Sequence, residues 1–206
     1  MSPRTILALT ASAALAASIA MTTPGSAVAM SPDRASDRGS ATYVALKGGA
    51  TTLRLNSGTA QALTDNGVSV APASEARVKD GGIAFPIQGG LLNAKTLAGK
   101  VTHSGGLTFT AGGKHLTIRD FTINTRKKQL SAWVDEAGAR VPVLNLNLGK
   151  AKVEVSKKHL TVRNVKAKLT SAAAGALNSY FSTSLFQGGL KIGSATISAS
   201  IKVLRG

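Results

Sequence analysis

His115-Leu116-Thr117-Ile118-Arg119-Asp120-Phe121 returns 44 residues later as His159-Leu160-Thr161-Val162-Arg163-Asn164-Val165, with four residues identical and three conservatively replaced. In the first copy the apolar residues run Leu116, Ile118 and then slip by one position to Phe121 and Ile123. In the second they run Leu160, Val162 and then Val165, Ala167. Successive side chains of a strand point to opposite faces, so each copy needs one extra residue, at Arg119-Asp120 and at Arg163-Asn164, to keep both halves on the core. Two readings satisfy this: a β-bulge at each place, or passage of the strand from one sheet to a second.

The same period of two extends through most of the chain. Strands are expected over Thr51–Leu55, Ile83–Ile87, Thr108–Thr110, His115–Ile123, Gln129–Val134, Val141–Leu148, Val153–Val155, His159–Leu169 and Ile192–Val203. Turns rich in Gly, Asn and Lys separate them, among them Gly112-Gly113 and Asn124 to Lys128. Only Gly58–Thr64 and Ala172–Phe181 read as helices, with Ser57 and Ser171 placed to cap them. A second similarity joins the ends of this region: Leu55-Asn56-Ser57 and Leu169-Thr170-Ser171 each end a strand and open a small-residue helix. The expected fold is all-β and mainly antiparallel, a β-sandwich with two short helices and an approximate internal repeat.

The N-terminal residues have a different character. A cationic start at Arg4, an apolar run from Ile6 to Met21 and small residues at Ala27-Val28-Ala29 match a signal peptide over 1–29, cleaved after Ala29. Residues 30–40 read as a flexible mature N-terminus, and 41–206 as one domain. The mature product is therefore expected outside the cytoplasm, secreted or associated with the cell wall. Of 206 residues none is cysteine, which removes disulfides, thiolate metal sites and cysteine nucleophiles together.

Arg4 is the only charge in the leader, so of 25 basic residues 24 remain against 9 acidic ones, a net +15. Such a chain attracts polyanions. With only 5 Phe, 2 Tyr and 1 Trp it lacks the stacking side chains of single-strand nucleic-acid binders, and nucleic acid is not expected as a partner. Anionic envelope polymers or surfaces are, through Arg126, Lys127, Lys128, Lys157 and Lys158; a solvated, solubilising surface is the plainer explanation of the same charges.

Gly99-Lys100-Val101-Thr102-His103-Ser104-Gly105-Gly106-Leu107-Thr108-Phe109, followed by Leu116 to Phe121, resembles the central motif of HtaA-type domains. The resemblance extends loosely over about residues 51 to 199. It implies an exported or envelope-anchored β-rich module, and haem as the cofactor to test, since some members bind haem for uptake. Those members use a tyrosine on the short helix after the first strand, supported by a histidine in the glycine-rich motif. Here the corresponding helix, Gly58 to Leu63, has no tyrosine, and His103 stands before the Gly105-Gly106 pair.

His103 is still the side chain of greatest interest. On a continuous strand it shares a face with Val101, Gly105, Leu107 and Phe109, so that a ring among apolar neighbours beside an empty Gly105 position would line a small ligand pocket. The alternative is a hairpin turn at Ser104-Gly105-Gly106, with His103 at a strand end or as a hydrogen-bonded core residue. Tyr43 and Tyr180 are candidate replacement ligands, or else amphipathic packing residues like Trp133. His115 and His159 would form a two-histidine metal site only if the repeated strands were neighbours, and no metal site is assigned.

No G-x-S-x-G elbow, H-E-x-x-H, P-loop or dinucleotide fingerprint occurs, and the one adjacent acidic pair, Asp135-Glu136, falls in an expected turn. The chain is thus read as a non-enzymatic binding protein: one that holds extracellular polyanions on a basic surface, or alternatively a carrier of haem or a small hydrophobic ligand.

Overall fold

The computed structural model describes residues 42–204. The signal peptide and the flexible segment assigned to 30–40 lie outside the described residues. In chain order the elements are β1 (Tyr43–Leu55), α1 (Ser57–Asp65), β2 (Ser69–Ala73), β3 (Arg77–Lys79), β4 (Gly82–Asn93), β5 (Gly99–His103) and β6 (Gly106–Ala111). They continue with β7 (Lys114–Asn124), β8 (Gln129–Val134), β9 (Ala139–Asn147), β10 (Lys152–Val155), β11 (His159–Leu169), α2 (Ser171–Phe181) and β12 (Lys191–Leu204).

Hydrogen bonding runs β7-β5-β4-β1-β12-β11-β9-β8, and β8 pairs back onto β7. The ring is closed and antiparallel throughout, so the architecture is a barrel and not the expected sandwich. The reason is physical: the β7–β8 pairing, Ile118↔Val134 to Asn124↔Gln129, joins the two edges that a sandwich would leave open. β2 and β6 extend the sheet beside β7, while β3 pairs with β4 and β10 with β11.

At both slips the strand is bulged, and it stays within one continuous sheet. Register shifts fall between Arg119 and Thr122 on β7 and between Val162 and Val165 on β11. Asp120 and Asn164 adopt left-handed backbone there, with φ of 53° and 62°. At the same two places each strand changes its partner along one edge. The first half of β7 pairs with β6 and its second half with β5; the first half of β11 pairs with β10 and its second with β9. In each repeat the first half of the strand thus pairs with an added strand, β6 or β10, and its second half with a strand of the ring, β5 or β9. Asp and Asn share tolerance of left-handed φ, and that shared conformation is what the repeat conserves. The two side chains act differently: Asp120 pairs with Arg119, and Asn164 donates to the Lys150 carbonyl.

β1 contains a third slip. Val44 and Leu46 are buried, the register shifts between Leu46 and Gly49, and Thr51 takes over the inward parity. The glycine is required at this shift, since a Cβ on Gly49, at φ +110°, would lie 2.1 Å from the Ser198 carbonyl oxygen. The Lys47-Gly48-Gly49 interruption also hides the first half of the strand from pattern reading.

The core has two continuous parts. One, at the end where β1 begins, gathers Val44, Leu46, Leu92, Val101, Leu160 and Ile201. The other gathers Phe85, Phe121 and Leu169 with side chains of the helices, Leu63 from α1 and Ala173 and Ala174 from α2. Alanine lets α2 approach closely. The caps lie one residue earlier than Ser57 and Ser171: Asn56 Oδ1 accepts from the Thr59 amide (2.7 Å) and Thr170 Oγ1 from the Ala173 amide (3.1 Å). A side chain caps when its own backbone is still extended, and ψ at Asn56 and Thr170 is 151° and 154°.

Candidate functional site: the barrel interior at His103

β5 and β6 lie end to end along β7, so the chain does not reverse at Ser104-Gly105-Gly106. The Asp120 amide donates to the Gly105 carbonyl (3.1 Å), which joins the kink of one strand to the bulge of the other. Inward parity survives the kink, and His103 points into the barrel with 4% exposure.

Both ring nitrogens of His103 are engaged. The Phe121 carbonyl, 3.2 Å from Nδ1, can only accept, so Nδ1 carries the proton. Nε2 then accepts from the Thr51 hydroxyl at 2.7 Å. Burial pushes the pKa of His103 down from 6.5 to about 4, with the Phe121 hydrogen bond opposing in part. The imidazole is neutral at ordinary pH.

This shift has a consequence for stability. The native state takes up the His103 proton less readily than the unfolded chain, so stability is full above pH 6.5 and falls as pH drops toward 4. A difference of that size corresponds to about 3 kcal/mol. Urea unfolding of the purified domain between pH 7.5 and pH 4 is expected to show that decline. His103→Leu should lose much of it, while being about 1–3 kcal/mol less stable at neutral pH because the Thr51 hydroxyl is left unpaired. An unchanged acid limb in His103→Leu would contradict the assignment.

His103 and Thr51 form part of the wall of an interior cavity of about 160 Å³. The remaining wall is apolar except for Thr59, and includes Leu53, Phe85, Leu107, Phe121, Val143 and Leu169. Phe85 and Phe121 meet edge to face at 4.9 Å. The Thr59 hydroxyl donates to the Lys191 carbonyl at 2.6 Å. Every polar side chain on the wall thus has a partner within the protein, and the cavity offers an occupant contact without hydrogen bonds.

Of the other sequence candidates, none reaches this cavity. Gly105 is not an open position: at φ +79° it packs on Ala76, where a Cβ would lie 2.5 Å from the backbone nitrogen. Tyr43 starts β1, outside the cavity wall. Tyr180 is half-buried on α2, where its hydroxyl donates to the His115 carbonyl, its ring meets Phe181 edge to face, and Lys114 Nζ lies 5.9 Å from the ring centre. Thr51 is the site residue that sequence reading missed. Its inward parity with Leu53 and Leu55 was legible; its pairing with a histidine 52 residues away was not.

His115 and His159 are not brought together, because β8 and β9 separate β7 from β11. The basic candidates fall in two exposed turns, Arg126-Lys127-Lys128 between β7 and β8, and Lys157-Lys158 between β10 and β11. Both turns lie at the barrel end where β1 begins, opposite the helices.

The family model for HtaA matches residues 56–185, more than half of the chain. This chain belongs to the HtaA family. Among solved structures, the C-terminal domain of HtaA from Corynebacterium glutamicum superposes with a TM-score of 0.59 at 15% identity, covering 77% of this chain and 99% of that one. The N-terminal domain of the same protein gives 0.52 at 16% identity, covering 76% and 98%. At that identity the HtaA likeness concerns the fold. A comparison with curated proteins returns no match. No helix among the described residues is long and apolar enough to cross a membrane.

At α1 and at His103 this HtaA-family chain offers no free haem ligand. Helix α1, where the haem-binding pattern has a tyrosine, contains none. A groove of about 400 Å³ runs along α1 past Ala62, Leu185 and Phe186, and its walls carry no histidine, tyrosine or methionine to ligate iron. His103 has both nitrogens engaged inside a cavity of about 160 Å³, well below the several hundred Å³ that drug-sized ligands occupy.

Proposed function

We propose that the mature chain is an exported, non-enzymatic HtaA-family module that carries a small apolar molecule inside its barrel beside His103. The observation behind this reading is the interior cavity whose polar wall groups are all satisfied. An occupant there gains dispersion contacts with Phe85, Phe121 and the surrounding aliphatic side chains and finds no free donor or acceptor. A cavity near this size stays dry and takes a benzene-sized guest in other proteins, so the ligand class is a single ring or a short hydrocarbon. His103 and Thr51 exclude charged guests, because neither can offer a hydrogen bond without breaking their own.

Export is supported by the leader sequence at 1–29. Haem carriage is the competing reading, supported by the HtaA resemblance and opposed by the missing helix tyrosine. Titration of the purified 30–206 chain separates the two. Benzene or indole is expected to bind saturably and to be excluded by Leu107→Phe, which fills the cavity, while haemin produces no saturable Soret shift. A saturable Soret shift abolished by His103→Ala would replace the small-ligand reading with haem binding.

A further inference from the structure

The barrel end opposite the helices is at once basic and apolar. Its turns carry Lys95 between β4 and β5, Arg126 to Lys128 between β7 and β8, and Lys157 and Lys158 between β10 and β11. Lys152 opens β10 opposite Arg163, a strand's length from the Lys157-Lys158 turn. Among the described residues the one acid at this end is Glu154, and Arg163 pairs with it at 2.7 Å. The remaining acids lie on the β7 bulge or toward the helical end, at Asp65, Glu75, Asp80, Asp120, Asp135 and Glu136, interspersed with Arg and Lys. The positive excess of the described domain is therefore concentrated on one end.

The large exposed apolar side chains segregate in the same way. Val153 (46% exposed), Val155 (59%), Val203 (48%), Leu204 (39%) and Leu91 (49%) all lie at the basic end; only Val78 lies elsewhere. Leu91 sits opposite Lys100 on β5 and, across Ala45, in line with Lys202 on β12. On β10, which lies outside the closed ring, Val153 and Val155 pair with Val162 and Leu160, and this apolar row is left exposed. The turns are held rather than loose. Thr125 Oγ1 bridges to the Leu97 carbonyl and the Gly99 amide, the Leu146 amide binds the Lys128 carbonyl, and the Ile201 amide binds the Lys158 carbonyl.

We propose that this end docks on an anionic phospholipid bilayer, with the lysines and arginine at the headgroup phosphates and Val153, Val155, Val203 and Leu204 entering the interfacial layer. A soluble polyanion would be satisfied by the charges and gain nothing from the valines, whereas a lipid surface uses both. The co-location of the two kinds of side chain selects the bilayer. The inference does not depend on the cavity ligand.

The test is sedimentation of the 30–206 chain with vesicles of equal parts phosphatidylglycerol and phosphatidylcholine, against vesicles of phosphatidylcholine alone, at about 0.1 M salt. Binding is expected on the anionic vesicles only. It should weaken at least tenfold in a variant carrying Lys127→Glu, Lys128→Glu, Lys157→Glu and Lys158→Glu, and about fivefold in Val153→Ser/Val155→Ser. Val78→Ser, at the other end, should bind as the parent does. All seven positions are exposed, and a thermal melt of each variant checks that it folds. Failure to bind anionic vesicles, equal binding to both vesicles, or full binding by the serine variant with competition by inorganic polyphosphate would overturn the proposal, the last outcome identifying a soluble polyanion site.

Discussion

Gly105→Ala is expected to cost about 3–5 kcal/mol of unfolding free energy, a large share of what a domain of this size has available. Two effects add. Left-handed backbone at φ +79° penalises any Cβ by about 1–2 kcal/mol. The new methyl also meets the Ala76 backbone nitrogen at 2.5 Å and the Ala76 Cβ at 3.0 Å, and overpacking of that kind adds about 1–3 kcal/mol. Gly112→Ala is the control: its φ is also positive, at 54°, but nothing lies within 4 Å of the added carbon. It should cost only about 1 kcal/mol. Urea unfolding followed by Trp133 fluorescence measures both, and equal costs would show that the β5–β6 kink does not pack on Ala76.

Leu160→Ala is expected to cost about 4–5 kcal/mol, near the top of the range for such truncations. Its side chain is 1% exposed and central to the core at the basic end. The equivalent residue of the other repeat, Leu116, lines the interior cavity, whereas Leu160 does not. Leu116→Ala should therefore cost about 2–3 kcal/mol, since the penalty grows with the packing removed. Identical residues in a repeated heptapeptide would then differ by about 2 kcal/mol. Equal losses measured by denaturant unfolding would mean that the cavity at Leu116 is filled in solution.

The repeat itself was the most legible part of the sequence. Strict alternation makes a one-residue slip visible, and both slips, at Asp120 and Asn164, are real bulges. Closure was not legible. Whether the sheet's two edges meet depends on strand tilt and stagger, and the decisive β7–β8 contacts read in sequence as an ordinary hairpin. The short β3 was also hidden, being exposed throughout and bearing Arg77 and Lys79.

At the site, the inward direction of His103 followed from parity, and its role as a hydrogen-bonded core residue was one of the two alternatives the sequence left open. Thr51 and the Phe121 carbonyl, which fix its tautomer, come from strands distant in the chain. Gly105 misled for a specific reason: a missing side chain reads as free space, while here backbone from Ala76 fills it. The basic end was visible only as dispersed charges until topology placed the three turns side by side around one rim.

The claim on which the functional reading depends is that the closed barrel keeps a dry apolar space beside His103. A crystal structure of the 30–206 chain determined under xenon pressure tests it most directly. Xenon density is expected inside the barrel, in contact with Phe85, Phe121 and Leu107, with the Thr51–His103 hydrogen bond intact. An interior closed by side-chain repacking, or one occupied by ordered water bonded to His103, would contradict it.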